Sequence, residues 1–135
     1  MTDYLVDNSV WSRVAQQVPR VLARVNAIVA SPSDAFVTCP PQVLEFCHSA
    51  PPDQHERYVD AIMLGFPLEH HPNEHFVLGI QQALWSHGLH RAAGPTDILI
   101  ASYAILNEAT VLACDQDYSH IARVDDRLAY EYLSP

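Results

Sequence analysis

Five carboxylates carry the chemistry this chain can offer. Asp7, Glu45, Asp97, Asp115 and Asp117 are far apart in sequence, yet each stands beside apolar residues. Asp7 ends DYLVD and Glu45 interrupts PPQVLEF. Asp97 opens DILIASYA after Pro95-Thr96, and Asp115 and Asp117 follow TVLAC. A carboxylate among apolar neighbours is costly unless it is paired or coordinates a metal. If the fold gathers these positions, they form a concentration of negative charge that a divalent cation neutralises. Such a site suits phosphodiester cleavage. Singly, each acid has a plainer use. An Asp at a strand end or helix start also serves as a cap, and Glu45 also serves as a solvated helix residue.

Other chemistries lack a frame. His71 and His75 are separated by Pro72 and Asn73, so with His70 they share no helix face. No HExxH, CxxC or HxH spacing supports zinc. No GxSxG surrounds a serine or cysteine nucleophile. With only 4 glycines there is no phosphate-cradling loop. Cys39, Cys47 and Cys114 are odd in number and unpaired by motif, which points to reduced, buried thiols.

The elements that must position the acids follow from 135 residues, 49% of them hydrophobic, enough for one domain over 1–135 with a real core. No apolar run approaches the ~18–20 residues of a membrane helix. The acidic N-terminus MTDYLVD is unlike a secretory leader, so a cytoplasmic location is expected. The formal net charge of −9 argues against gripping nucleic acid by bulk electrostatics, though not against a nuclease. All 7 basic residues are arginine, which suits bidentate phosphate contacts.

Residues 3–7 read as a buried strand, with Asn8 or Ser9 capping a helix from about Val10. Pro19 starts a second helix with Val21, Leu22, Val25 and Ile28 on one face. Strand 35–38 precedes a helix opened by Pro40-Pro41, and Pro51-Pro52-Asp53 begins another, through about Leu64. Residues 66–69 form a weak strand. Asn73 caps a helix ending before Gly88, with Trp85 in the core. A very apolar helix runs from Asp97 to about Glu108, and strands cover 110–114 and 128–133. This alternation predicts an α/β sandwich with a mainly parallel sheet. Sites in such sheets form beyond the carboxyl ends of the strands, where Asp7 and Asp115 lie.

At this point the chain resembles a family, the PIN-domain ribonucleases, and within it the VapC-type toxins of toxin–antitoxin pairs. The segments that carry the resemblance are YLVDNSV, Glu45 in an early helix, PTDILIASYA and TVLACDQDYSHI. They occur in the family's order and cover essentially the whole chain. Cys114, Ala113, Asn8 and Tyr118 depart from the residues more usual there, but no carboxylate is lost. The resemblance implies a PIN-like three-layer α/β/α sandwich. It further implies that Asp7, Glu45, Asp97 and Asp115 line one cleft, with Asp117 adjoining.

Oxygen-only ligands suit Mg²⁺ or Mn²⁺, as one or two ions, rather than zinc. Asp7 and Asp97 are the expected direct ligands, then Asp115, with Asp117 acting directly or through water. Glu45 is expected to hold a water or act as base, and Ser9 to orient a carboxylate or water. The expected reaction is endoribonucleolytic hydrolysis leaving 5′-phosphate and 3′-hydroxyl ends. Arg13 is a candidate phosphate contact, as are Arg20 and Arg24. Trp11 and Tyr118 are candidate stacking partners for a base. The early helices carry more apolar residues (Val10, Trp11, Val14, Val18, Val21, Leu22, Val25) than a small sheet covers, which predicts an exposed groove for a partner helix. By resemblance that partner is a VapB-like antitoxin, with a homodimer, or a heterotetramer or larger complex with antitoxin, as the assembly. An RNA-processing PIN nuclease without antitoxin, or a catalytically silent binding domain, is the alternative.

Overall fold

A computed structural model describes residues 1–135. Five strands form one sheet: β1 (Thr2–Val6), β2 (Asp34–Thr38), β3 (Phe66–Pro67), β4 (Thr110–Ala113) and β5 (Ala129–Tyr132). Their order is β3-β2-β1-β4-β5, and all four pairings are parallel. Seven helices connect and flank them: α1 (Asn8–Ala15), α2 (Pro19–Ala30), α3 (Pro40–His48), α4 (His55–Ile62), α5 (Glu74–Ser86), α6 (Pro95–Leu106) and α7 (Asp117–Val124). A 3-10 turn, Pro52–Gln54, leads into α4. This is the α/β/α sandwich expected of the sequence.

Alternation along the central strands builds two cores. Leu5, Val37, Val111 and Ala113 face one side and pack with Ile80 and Leu84 of α5, the apolar residues of α6, and Tyr118 and Ile121 of α7. Tyr4, Val6, Leu112 and Cys114 face the other and pack with Val10 of α1 and Val21, Val25 and Ile28 of α2. Burial on both faces explains why the strands read as unbroken apolar runs. Helix α6 is the most apolar helix because it runs through the larger core, with Ile98, Ile100, Ala101, Tyr103 and Ala104 all buried.

Element boundaries differ from expectation in instructive places. The cap of α1 is Asp7, not Asn8 or Ser9: its side chain accepts from the Ser9 N–H. Helix α6 begins at Pro95 after Gly94, so Asp97 lies inside its first turn. Helix α7 was absent from the sequence reading. Asp115-Gln116-Asp117 resembles a turn, and only Tyr118 and Ile121 mark the buried face of this short helix. Asn73 caps α5 as expected, accepting from the Phe76 N–H at 2.9 Å. Trp85 is not core: it is 52% exposed, because the buried face of α5 is carried by Ile80 and Leu84.

The surplus apolar surface of the early helices is mostly absorbed, since Val10, Val21, Val25 and Ile28 are buried. What remains open lies towards the β2–β3 edge. There a hollow of about 380 Å³ is bordered by Trp11, Ile28, Val29, Phe36, Ile62 and Phe66, among others. Val29, Leu64 and Phe66 are exposed at its rim.

Gly65 joins α4 to β3 where the chain passes closest to β2. A Cβ there would stand 2.9 Å from Thr38 Cγ2 and 3.3 Å from the Phe36 carbonyl oxygen. Thr38 is buried, so its methyl has little room to retreat. Gly65→Ala is therefore expected to destabilise the protein by about 1–3 kcal/mol. Urea denaturation of the two proteins checks this, and equal midpoints would refute it.

Candidate active site

The pairing order reverses at β1. From it the chain crosses to β2 on one side, while β4 docks on the other. The crevice between diverging connections opens at the carboxyl ends of β1 and β4. Asp7 directly follows β1, and Asp115 lies two residues beyond β4. The ends are stitched together. The Asp7 N–H donates to the Leu112 carbonyl at 2.9 Å, and the Cys114 N–H donates to Ser9 Oγ at 2.9 Å.

Asp7 is only 3% exposed. Both of its oxygens accept hydrogen bonds at 2.9 Å, Oδ2 from the Ser9 N–H and Oδ1 from the Tyr118 hydroxyl. Ser9 thus orients the carboxylate through its backbone, while its hydroxyl holds β4. Asp115 Oδ1 accepts from the Asp117 N–H at 3.1 Å, at the start of α7. Asp97 comes from the first turn of α6 and lies beside Asp117. Glu45 comes from α3. That helix is fastened to the end of β1 by Gln42, which is buried and whose Nε2 donates to the Val6 carbonyl at 2.8 Å.

The electrostatics show that all five acids share one neighbourhood. Burial first, then the adjoining Asp117 carboxyl, then the charges of Asp7 and Asp115 push the Asp97 carboxyl up to about 7. Burial first, and then the charges of Asp7 and Asp115, raise Glu45. Burial and the Asp7 charge raise Asp115, against the opposing pull of the Asp117 N–H and Arg13. Arg13 is the cation that acts on Asp115. It is held by donating to the Ser9 carbonyl at 2.8 Å.

The donor set fits a hard divalent cation. It consists of carboxylate oxygens, it carries excess negative charge, and Glu45 Oε2 is buried with no partner. No three acid, histidine or cysteine side chains already converge tightly enough to enclose an ion by themselves. An ion that retains several waters needs fewer protein ligands, which favours Mg²⁺ or Mn²⁺ over a fully protein-caged metal. His71 is turned to a different task, its Nδ1 lying 2.8 Å from the Tyr103 hydroxyl.

Two candidate base-stacking residues are corrected. Tyr118 is completely buried, with its hydroxyl committed to Asp7, so no face is free for a base. Trp11 packs against Phe36 and Phe46, at ring-centroid distances of 5.7 and 6.3 Å. It borders the apolar hollow, which none of the five acids lines. Sequence reasoning missed Gln42 and Tyr130. Gln42 lies three residues before Glu45, one turn along the same helix, and that spacing was the only available signal. Tyr130 donates to the Asp115 carbonyl at 2.7 Å across a strand pair that sequence does not reveal.

The sequence profile of the PIN domain matches residues 4–124. The chain belongs to the PIN-domain family. No curated protein matches this PIN chain in sequence. Solved structures share its fold. A chain of VapBC2 from Rickettsia felis, bound to a DNA fragment from its promoter, superposes with a TM-score of 0.72 at 15% identity, covering 97% of this chain and 98% of that one. A chain of VapBC-1 from nontypeable Haemophilus influenzae gives 0.73 at 18%, covering 99% and 100%. FitAcB from Neisseria gonorrhoeae gives 0.68 at 19%, covering 94% and 95%. At these identities the likeness is one of fold.

The raised Asp97 carboxyl sets a pH dependence. The folded protein keeps this proton to about pH 7, whereas the ordinary value is 3.8. Its stabilising contribution is therefore fully present below about pH 4 and is lost as pH rises through about 7. Glu45 and Asp115 are shifted in the same direction. The metal-free protein should melt several degrees higher at pH 6 than at pH 8, and Mg²⁺ should raise the melting temperature more at pH 8. A melting temperature that climbs with pH in EDTA would contradict this.

Two single substitutions should act in opposite directions. Asp7→Ala removes a helix cap and strands the buried Tyr118 hydroxyl, at a cost of about 1–3 kcal/mol. Asp97→Asn relieves repulsion and should raise the metal-free melting temperature at pH 8. Thermal melts of both proteins in EDTA decide it.

Proposed function

We propose that this PIN-domain chain is a metal-dependent endoribonuclease and the toxin component of a toxin–antitoxin pair. The observation that supports the nuclease reading is that Glu45, Asp97 and Asp115, from three separate segments, are each raised in part by the charge of Asp7, and that Glu45 keeps a buried carboxylate oxygen without a partner. The Mg²⁺ or Mn²⁺ site, of one or two ions, would be built by Asp7, Asp97 and Asp115, with Asp117 beside Asp97. Such an ion, when bound, supplies Lewis-acid activation of water and neutralises charge developing on the phosphate.

The chain's own residues do the rest. Asp7, held through both oxygens, is a fixed wall of the cleft. Glu45, with one buried oxygen free of partners, positions the attacking water or accepts its proton. Arg13 stands at the cleft as the local counter-charge and receives the scissile or a neighbouring phosphate. The products carry 5′-phosphate and 3′-hydroxyl ends. The cut RNA is of the kind translation depends on, a tRNA, rRNA or mRNA, and the setting is the cytoplasm. No helix here is long and apolar enough to cross a membrane.

The toxin reading is supported by a fold shared end to end with chains of VapBC complexes. It is supported as well by the apolar hollow with Val29, Leu64 and Phe66 at its rim, a surface suited to an apolar segment of a VapB-like antitoxin. Leu78 and Trp85 are exposed on α5 and offer a second apolar face for a homodimer within a heterotetramer or larger assembly.

The test is to incubate wild type and Asp97→Asn with total RNA in Mg²⁺, Mn²⁺ and EDTA and to map the cut ends by sequencing. Discrete cuts that need metal, carry 5′-phosphates and vanish in the variant are expected. Absence of cuts from folded, partner-free wild type would leave a binding domain. Cleavage without growth arrest on expression would favour an RNA-processing nuclease.

A further inference from the structure

Tyr118 follows Asp117 at the start of α7, and its ring is wholly buried in the larger core. Its hydroxyl finds one acceptor, Asp7 Oδ1, 111 residues away. A capping aspartate needs only one oxygen, and the Ser9 N–H already takes Oδ2. The second bond therefore adds something the cap does not supply: it fixes the rotation of the carboxylate plane. If Asp7 turned, a buried phenol would be left without a partner, which is unfavourable.

The ring itself is braced. Tyr130 packs beside it at 6.1 Å between centroids, and the Tyr130 hydroxyl is anchored on the Asp115 carbonyl. The phenol thus approaches Asp7 from a rigid wall made by α7 and β5. A phenylalanine would fill the same core volume and leave the cap of α1 intact, so the work of the ring and the work of the hydroxyl are separable.

We propose that Tyr118 is a positioning residue: its buried hydroxyl locks the Asp7 carboxylate in the orientation that lets Asp7 share a divalent cation with Asp97 and Asp115. This rests on the reading of those carboxylates as a cation site. Tyr118 touches neither ion nor RNA and acts through Asp7 alone. Oδ1 keeps acceptor capacity after receiving the phenol proton, so the bond orients the oxygen without consuming it.

The experiment is calorimetric titration of Mn²⁺ into wild type, Tyr118→Phe and Tyr103→Phe, at a temperature where circular dichroism shows all three folded. Tyr118→Phe should bind Mn²⁺ about tenfold more weakly, the loss typical of removing a group that orients a metal ligand. Tyr103→Phe loses the hydroxyl of another tyrosine buried in the same core, one that meets His71 and no carboxylate of the cluster, and should bind as wild type does. RNA cleavage by Tyr118→Phe should be poor at low Mn²⁺ and recover at saturating Mn²⁺, which a merely loosened fold would not show. Unchanged affinity in Tyr118→Phe, or equal weakening in both variants, overturns the proposal while leaving the cation site standing. Wild type that takes up no Mn²⁺ removes the cation-site reading, and the proposal with it.

Discussion

Mutual repulsion among five carboxylates at one end of a sheet is the constraint around which this structure is arranged. A protein of net charge −9 has little cation to spare, and Arg13 is the cation that acts on Asp115. Backbone dipoles supply much of the compensation. Asp7 caps the N-terminus of α1, Asp97 lies in the first turn of α6, and Asp117 begins α7. These three carboxylates therefore sit at the positive ends of helices, where negative charge is stabilised. The compensation is partial. Asp97 still holds its proton to about pH 7, and Glu45 and Asp115 are raised as well. What the fold leaves unneutralised is the attraction a divalent cation would feel.

The sheet order makes that crowding possible. Only because β4 docks beside β1, opposite β2, do residues more than a hundred positions apart meet at one rim. Small polar contacts then set the geometry. Ser9 ties α1 to the residue after β4, Gln42 ties α3 to the last residue of β1, and Tyr130 ties β5 to Asp115. None of these contributes a charge. Each fixes the distance between elements that do.

The sequence made the acids legible by type and the parallel sandwich legible by its alternation of apolar runs. Long, strongly patterned elements such as α5 and α6 were evident, and Asn73, Pro19 and Pro40 marked helix starts correctly. What escaped was set by partners distant in the chain. Tyr118 reads as an aromatic beside an acidic turn, and nothing local reveals that its hydroxyl is consumed by Asp7. Helix α7 escaped because an Asp-x-Asp turn and a two-residue buried face hide it. Trp85 misled because an apolar residue on an apolar helix suggests burial. Which side of α5 meets the sheet is decided by Ile80 and Leu84, and Trp85 lies outside that face.

The apolar hollow and the carboxylate rim are physically separate in this molecule but meet on one short helix. The apolar hollow lies towards the β2–β3 edge, the carboxylates lie at the β1–β4 rim, and no acid of the cluster borders the hollow. Helix α1 reaches both. Trp11 lines the hollow, while Asp7, Ser9 and Arg13 face the rim side through their bonds to one another and to β4. Rigid neighbours limit how far any movement travels. Asp7 is held at its backbone N–H by Leu112 and at both carboxylate oxygens, so a shift of α1 meets resistance from β4 and α7 together. The same bonds that hold the carboxylate still also make it the point where strain on α1 would be felt.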